Sequence, residues 1–187
     1  KKNSLLISTT NLILILLSLN FLKIPSMLNK ILIQLEVTIS NITYKKYRRN
    51  FNIAKSFRFN GKEIKLYGDG EFEFGDDSYI GSYSSLQSVK GCKISIGKKC
   101  KISHNVRAYT QSAIADSDFS LDDIPQKKGN ITIEDFAWIG ANVLINPGIT
   151  IGANSIIGAN SVVTKDVLPF SIVGGVPAKL IRMKNIS

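Results

Sequence analysis

His104 is the only histidine in a chain of 187 residues, and it opens the stretch SHNVRAYTQSAIADSDFSLDDIPQKKGN from Ser103 to Asn130. An imidazole takes up and releases a proton near neutral pH, which suits it to general acid–base work. It is either such a base set beside a long loop or one more polar residue at a turn. Cys92 and Cys100 are the only thiols; they form no metal motif and have no evident base partner. They are too sparse for a secreted disulfide framework, so they read as buried interior thiols of a protein kept in a reducing compartment. The elements that must position His104 decide which of its two readings holds.

Apolar residues make up 44% of the chain, enough for a sizeable core and unlike a disordered protein. The net charge of +10 is concentrated at one end. Residues 1–60 carry ten Lys or Arg against a single acid, Glu36, whereas the remaining 127 residues are nearly balanced. The basic centre is YKKYRRN (Tyr44–Asn50), which could meet nucleic acid or anionic lipid. It follows a greasy stretch, which favours lipid over nucleic acid. Residues 5–22, LLISTTNLILILLSLNFL, are uncharged and would make a helix of roughly 27 Å, close to the bilayer core. Ser8, Thr9, Thr10, Asn11, Ser18 and Asn20 dilute that run, which argues against a true span. After Pro25, Leu28, Ile31, Leu32, Leu35, Ile39 and Ile42 fall on one helical stripe. Residues 1–60 are therefore expected to form a helical segment, a two-helix hairpin lying on a membrane or packing against a partner. Plain packing on the body of the same chain is the alternative.

From about Ile64 the texture changes to glycine, aspartate and short apolar pulses. Ile133, Ile139, Ile145, Ile151, Ile157 and Val163 recur at a strict interval of six. Four residues after each stand Ala137, Val143, Ile149, Ser155, Ser161 and Val167, all small or β-branched. Shorter runs share the period: Phe74, Ile80 and Leu86, then Ile96, Ile102 and Ala108, with a slip near QSVKGCK (87–93). Neither an α-helix nor an isolated strand gives a period of six. Short strands joined by tight turns do, three to a coil, with the stacked aliphatics filling the interior: a parallel β-helix. Asn142, Asn154 and Asn160 each follow an aliphatic by three, where a turn needing a left-handed backbone would welcome asparagine. Residues 61–184 are thus expected to form this domain, interrupted by a loop at 109–130 that is long enough to read as functional.

The run ITIEDFAWIGANVLINPGITIGANSIIGANSVVTKD (131–166), followed by SIVGGVPAKLIR (171–182), resembles the hexapeptide-repeat acyltransferases. The likeness is nearest to the branch that acetylates galactosides, maltose and polysaccharides. The resemblance implies a mainly β, left-handed parallel β-helix with a short C-terminal helix. It overrides the general preference of parallel crossovers for the right hand. It also implies a homotrimer with active sites between neighbours, and acetyl-CoA as co-substrate with no metal. Carried over residue by residue, the cofactor positions are Ala141, Ala159, Thr164, Lys165, Lys179 and Arg182. Small residues would let a pantetheine arm approach the coil, and the three cations would meet its phosphates. Trp138 lies where the family often keeps a tryptophan near the acceptor.

Transfer of an acyl group to a hydroxyl needs a base to take the hydroxyl proton. The galactoside-type enzymes keep that histidine in the loop after the second coil run, which here falls near Ala113. In related sugar N-acetyltransferases the histidine sits at a coil corner, and His104, two residues after Ile102, resembles that one. Asn105, Asp116 and Asp118 are candidates to orient it. Zinc-dependent members of the fold need three histidines, and this chain has one. The expected activity is O-acetylation of a surface-polysaccharide or lipid-linked saccharide, at the cytoplasmic membrane face and without nucleic acid. N-acetylation of a nucleotide-linked amino sugar and a non-catalytic scaffold are the alternatives.

Overall fold

The computed structural model describes residues 26–186. The predicted helix over residues 5–22 lies outside the described residues. Two compact units divide between Ile39 and Ser40. In the first, the described residues are the start of helix α1 (Ser26–Asn50), whose Leu28, Ile31, Leu35 and Ile39 are exposed. No helix among the described residues is long and apolar enough to cross a membrane.

The second unit is a parallel β-solenoid of three strands per coil. The first coil holds β1 (Asn52–Ile53), β2 (Arg58–Asn60) and β3 (Lys65–Tyr67). The second holds β4 (Glu71–Phe74), β5 (Tyr79–Gly81) and β6 (Ser85–Gln87). The third holds β7 (Lys93–Ile96), β8 (Lys101–Ile102) and β9 (Arg107–Tyr109). After an excursion, β10 (Gln111–Ala113) and β11 (Gln126–Lys128), the fourth coil takes β12 (Ile131–Ile133), β13 (Trp138–Ile139) and β14 (Leu144–Ile145). The fifth takes β15 (Thr150–Ile151), β16 (Ile156–Ile157) and β17 (Val162–Val163), and β18 (Ser171–Gly174) and β19 (Lys179–Met183) end the chain. Strands of equal rank stack into three sheets: β1-β4-β7-β12-β15, then β2-β5-β8-β13-β16-β18-β19, then β3-β6-β9-β14-β17.

The register shows why the period is six. Ile139 pairs with Ile102 and Ile157, and Ile145 with Ala108 and Val163, so each aliphatic lies directly over its counterpart one coil away. All six members of the Ile133–Val163 series are at most 2% exposed, and Ala137, Val143, Ser155 and Ser161 are buried beside them. Each buried aliphatic contributes about 1.5–3 kcal/mol against the entropy of ordering its coil. The chain turns through left-handed backbone at two corners of the triangle, and Asn142, Asn154 and Asn160 adopt it with φ of 59°, 57° and 58°.

The ends of the solenoid differ from the repeat. The first coil opens at Asn52, upstream of the visible period, and Phe57 and Phe59 interrupt the aliphatic pattern of its interior beside Ile53, Ile64 and Leu66. Phe57 lies 4.8 Å from Phe74 between ring centres, and Phe51 of the helix end lies 4.7 Å from Phe72. Within this unit, Tyr44 stacks on Phe59 at 4.5 Å. The Tyr44 hydroxyl donates to the Gly61 carbonyl at 2.9 Å, and Arg48 donates to the carbonyls of Ala54 and Phe57. Half of YKKYRRN is thus a lid on the open end of the core, while Lys45, Lys46 and Arg49 remain exposed. The short C-terminal helix that the resemblance implied is absent among the described residues; this is a correction. Gly175, at φ 100°, belongs to a turn that reverses the chain, and β19 pairs antiparallel with β18. Edge hydrogen bonds of the last coil favour a strand over an isolated turn of helix. The 109–130 loop is likewise built, as an antiparallel β10–β11 hairpin pairing Gln111 with Lys128.

Ile145→Ala is expected to lower unfolding free energy by about 2–5 kcal/mol, since the stacked neighbours cannot close the gap. Thr150→Ala, on the outer surface, should cost well under half of that. Urea denaturation midpoints of the two variants check it.

Candidate active site

The corner between the second and third sheets collects the predicted chemistry. Tyr83, Asn105, Asn142 and Asn160 occupy its left-handed positions on successive coils, with φ between 55° and 63°. The Asn105 amide donates to Asn142 Oδ1 at 2.8 Å, and the Asn142 amide to Asn160 Oδ1 at 2.9 Å. The residues just before them form a second column: Ser82, His104, Ala141 and Ala159. Backbone bonds hold it together, from Asn105 N–H to the Ser82 carbonyl at 2.9 Å, Asn142 to His104 at 3.0 Å and Asn160 to Ala141 at 2.9 Å. The coil pitch therefore brings three predicted site residues, far apart in sequence, onto one edge about 5 Å apart per step.

His104 is exposed at this edge and lies over Gly81. A Cβ on Gly81 would fall 2.8 Å from His104 Nδ1 and 2.9 Å from its amide nitrogen, so only glycine leaves room for the ring. Among the candidate orienters, Asn105 is engaged in the asparagine ladder. The Asp118 carboxylate accepts both the amide and the hydroxyl of Ser120, at 2.9 and 2.7 Å, and these bonds hold its pKa below the usual value. Asp116 is exposed near the tip of the hairpin. Ala113, the alternative seat for a histidine, pairs with Gln126 inside that hairpin.

Trp138 is 49% exposed on the second sheet, between Lys101 and Ile156. Its strand pairs with β8, which leads into the His104 corner. Thr164, Lys165 and Lys179 line one cavity of about 370 Å³ at the C-terminal end, where β17 runs out and β19 returns. Arg182 is on β19 as well, paired with Ile172, but does not line that cavity. Cys92 and Cys100 are buried, and burial pushes the Cys100 thiol above its ordinary pKa, so neither is placed as a nucleophile.

The residues that sequence reasoning passed over lie on the other side of the same corner. Lys65, Ser85 and Arg107 form one outward row across the third sheet, and Tyr67, Gln87 and Tyr109 the next. Outward positions of the early coils carry no period, so nothing in the sequence singles them out.

A family model described as bacterial transferase hexapeptide (six repeats) matches residues 130–165. Over 55 residues the chain is 56% identical to a galactoside O-acetyltransferase of Escherichia coli K12, which is 29% of this chain and 27% of that one. Over 59 residues it is 51% identical to a chloramphenicol acetyltransferase of Klebsiella aerogenes, covering 32% and 28% of the two chains. Those matches thus span little more than a quarter of each relative. A crystal structure of a hexapeptide-repeat acetyltransferase from Vibrio cholerae O1 biovar eltor, complexed with acetyl-coenzyme A, matches far more broadly. It covers 80% of this chain and 83% of that one, at 30% identity and a TM-score of 0.62. The chain belongs to the hexapeptide-repeat acetyltransferase family and has the parallel β-solenoid described above.

Gly81→Ala is expected to cost about 1–3 kcal/mol and to shift the ring-proton resonances of His104, because the methyl collides with its imidazole and main chain. Gly158→Ala, whose added carbon would meet nothing nearer than 3.4 Å, is the control and should leave both unchanged. NMR spectra and thermal melts of the pair decide it.

Proposed function

We propose that this protein transfers an acetyl group from acetyl-CoA to a hydroxyl of a saccharide, with His104 as general base. The observation that carries the reading is the single column of His104, Ala141 and Ala159, which sets the one imidazole beside two positions matched to the family's cofactor site. Acetyl-CoA would run along that edge toward the cavity of Thr164, Lys165 and Lys179, where the two amines meet its phosphates, with Arg182 on the same strand. The fit rests on geometry as well as resemblance, since only small side chains flank the path at Ala141 and Ala159.

In the proposed step His104 takes the hydroxyl proton as the acceptor oxygen bonds to the thioester carbonyl carbon. The carbonyl becomes an oxyanion. Gly140 already donates its N–H to Ile157 at 2.8 Å, so the neighbouring Ala141 amide is the donor assigned to that oxyanion. Such a donor is commonly worth about 3 kcal/mol. The tetrahedral adduct then expels the CoA sulfur, which takes the proton from the imidazolium. Asn105 keeps the corner in the left-handed backbone that presents the ring, and Trp138 supplies an apolar wall for the acceptor or the pantetheine end. The working form is a homotrimer, with a neighbouring copy closing the groove and the β10–β11 hairpin reaching toward it. The exposed Leu28, Ile31, Leu35 and Ile39 of α1, with Lys30 among them, suit peripheral attachment to an anionic membrane surface where lipid-linked sugars are assembled.

N-acetylation of a nucleotide-linked amino sugar is the second reading. The feature favouring it is the seat of the histidine at a coil corner, with alanine at position 113 of the hairpin.

His104→Ala should reduce turnover by about 100- to 10,000-fold. Its acetyl-CoA affinity should stay within a factor of about two, read from the ligand-induced rise in melting temperature. Undiminished turnover removes His104 as the base. A wild-type melting temperature that acetyl-CoA leaves unchanged removes the reading altogether, and acetylation of amino sugars in preference to oligosaccharides selects the second.

A further inference from the structure

We infer that the acceptor is an anionic saccharide, bound on the outer face of the third sheet with Arg107 as the partner of its negative charge. The inference rests on the acetyltransferase reading above and names the substrate class of that same site. A groove of about 610 Å³ runs over this face, lined by Glu63, Lys65, Tyr83, Asn105, Arg107 and Tyr109 among others. It begins at Asn105, one residue from His104, and so reaches the base from the opposite side of the corner to the second sheet. β9 then crosses the face from that corner to the root of the β10–β11 hairpin, so the groove is bounded by the histidine at one end and the hairpin at the other.

The chemistry of the lining is specific. Glu63 lies 3.8 Å from the Lys65 amine, and these two exposed charges answer each other. Arg107 has no carboxylate partner among the described residues and is exposed, directly across Ser85 from Lys65 in the sheet register. A guanidinium left unpaired in a groove presents a fork that fits carboxylate or phosphate oxygens. Tyr83, 52% exposed, and the half-buried Tyr109 offer flat apolar faces and hydroxyls at either side, as a sugar ring needs. Ser85 and Asn105 lie between them and can bond ring hydroxyls. The row of Lys65, Ser85 and Arg107 continues in the later coils as Leu144 and Val162, aliphatic and uncharged, so its charge is confined to the first three coils.

The test uses the full chain and three glycans. These are an oligosaccharide of galacturonic acid, its carboxyl-reduced neutral form, and an oligomer of the neutral sugar joined by phosphodiesters. Binding is titrated without acetyl-CoA, and acetyl transfer is measured with it, for wild type, Arg107→Gln and Arg107→Lys. At least one anionic glycan should bind about tenfold tighter than the neutral one, the scale of a charge-assisted hydrogen bond. Which of the two binds separates a carboxylate from a phosphate acceptor. Arg107→Gln should erase the preference and Arg107→Lys keep part of it, with the acetyl-CoA thermal shift unchanged in both. Equal binding of neutral and anionic forms, or a preference that survives Arg107→Gln, overturns the inference. Absence of any acetyl-CoA effect would instead defeat the acetyltransferase reading, while the binding arm still decides this one.

Discussion

The hydrogen bonds that run along the solenoid axis, coil to coil, are the constraint on which everything else depends. Each strand pairs with the strand of equal rank above and below, so every coil must copy the path of its neighbour at a spacing of about 5 Å. Interior side chains must then be alike in size from coil to coil, and corners must accept the same backbone turn. Aliphatics in the Ile133–Val163 series satisfy the first demand, and asparagines at φ near 58° satisfy much of the second. A non-glycine residue in that left-handed region costs about 1–2 kcal/mol for most side chains and less for asparagine. The ladder from Asn105 through Asn142 to Asn160 offsets part of that cost by joining the turns it creates.

Because the path is copied, sequence distance becomes irrelevant and the column decides which residues are neighbours. His104 and Ala141 lie 37 positions apart yet share one edge, because a hairpin excursion is spliced between their coils without disturbing the ladder. Thr110 accepts from Gly129 at 3.0 Å where the hairpin leaves and returns, closing the gap it opens. The ends need other solutions, since a solenoid cannot stop without exposing core and unpaired strand edges. Aromatic rings from the end of α1 cover the first coil, and β19 folds back on β18 at the last.

This also explains which parts were legible in the sequence. Coils four and five could be read residue by residue, as their interiors are uniform and their corners carry asparagine. The first coil could not, because Phe57 and Phe59 replace the aliphatic pulse and the chain has no neighbour to copy on one side. Tyr44 and Arg48 look like part of a basic patch until packing shows them spent on the Gly61, Ala54 and Phe57 carbonyls. PAKLIR has helix-forming residues, and only the unpaired edge of β18 makes a strand the better partner. In the site, the column of His104 with Ala141 and Ala159 follows from the period once the fold is known. The row of Lys65 and Arg107 does not, since outward positions answer to no packing rule.

The position of the histidine at a vertex, and not within a flat face, bears on how two substrates could meet. A side chain in the middle of a strand sees only the face it leaves. One at a corner of a triangular coil is open to two faces whose strands lead away in different directions. On the second-sheet side of this corner lie Trp138 and the small column of Ala141 and Ala159; on the third-sheet side lies the groove of Tyr83, Arg107 and Tyr109. Under the proposed reaction, a long, thin thioester and a bulky polar acceptor would approach along separate surfaces and compete for space only at the imidazole. A rigid ladder serves that arrangement better than a mobile loop, because the angle between the two surfaces is set by the coil itself. Gly81, by yielding the volume of a methyl group to the ring above it, keeps that vertex open to both.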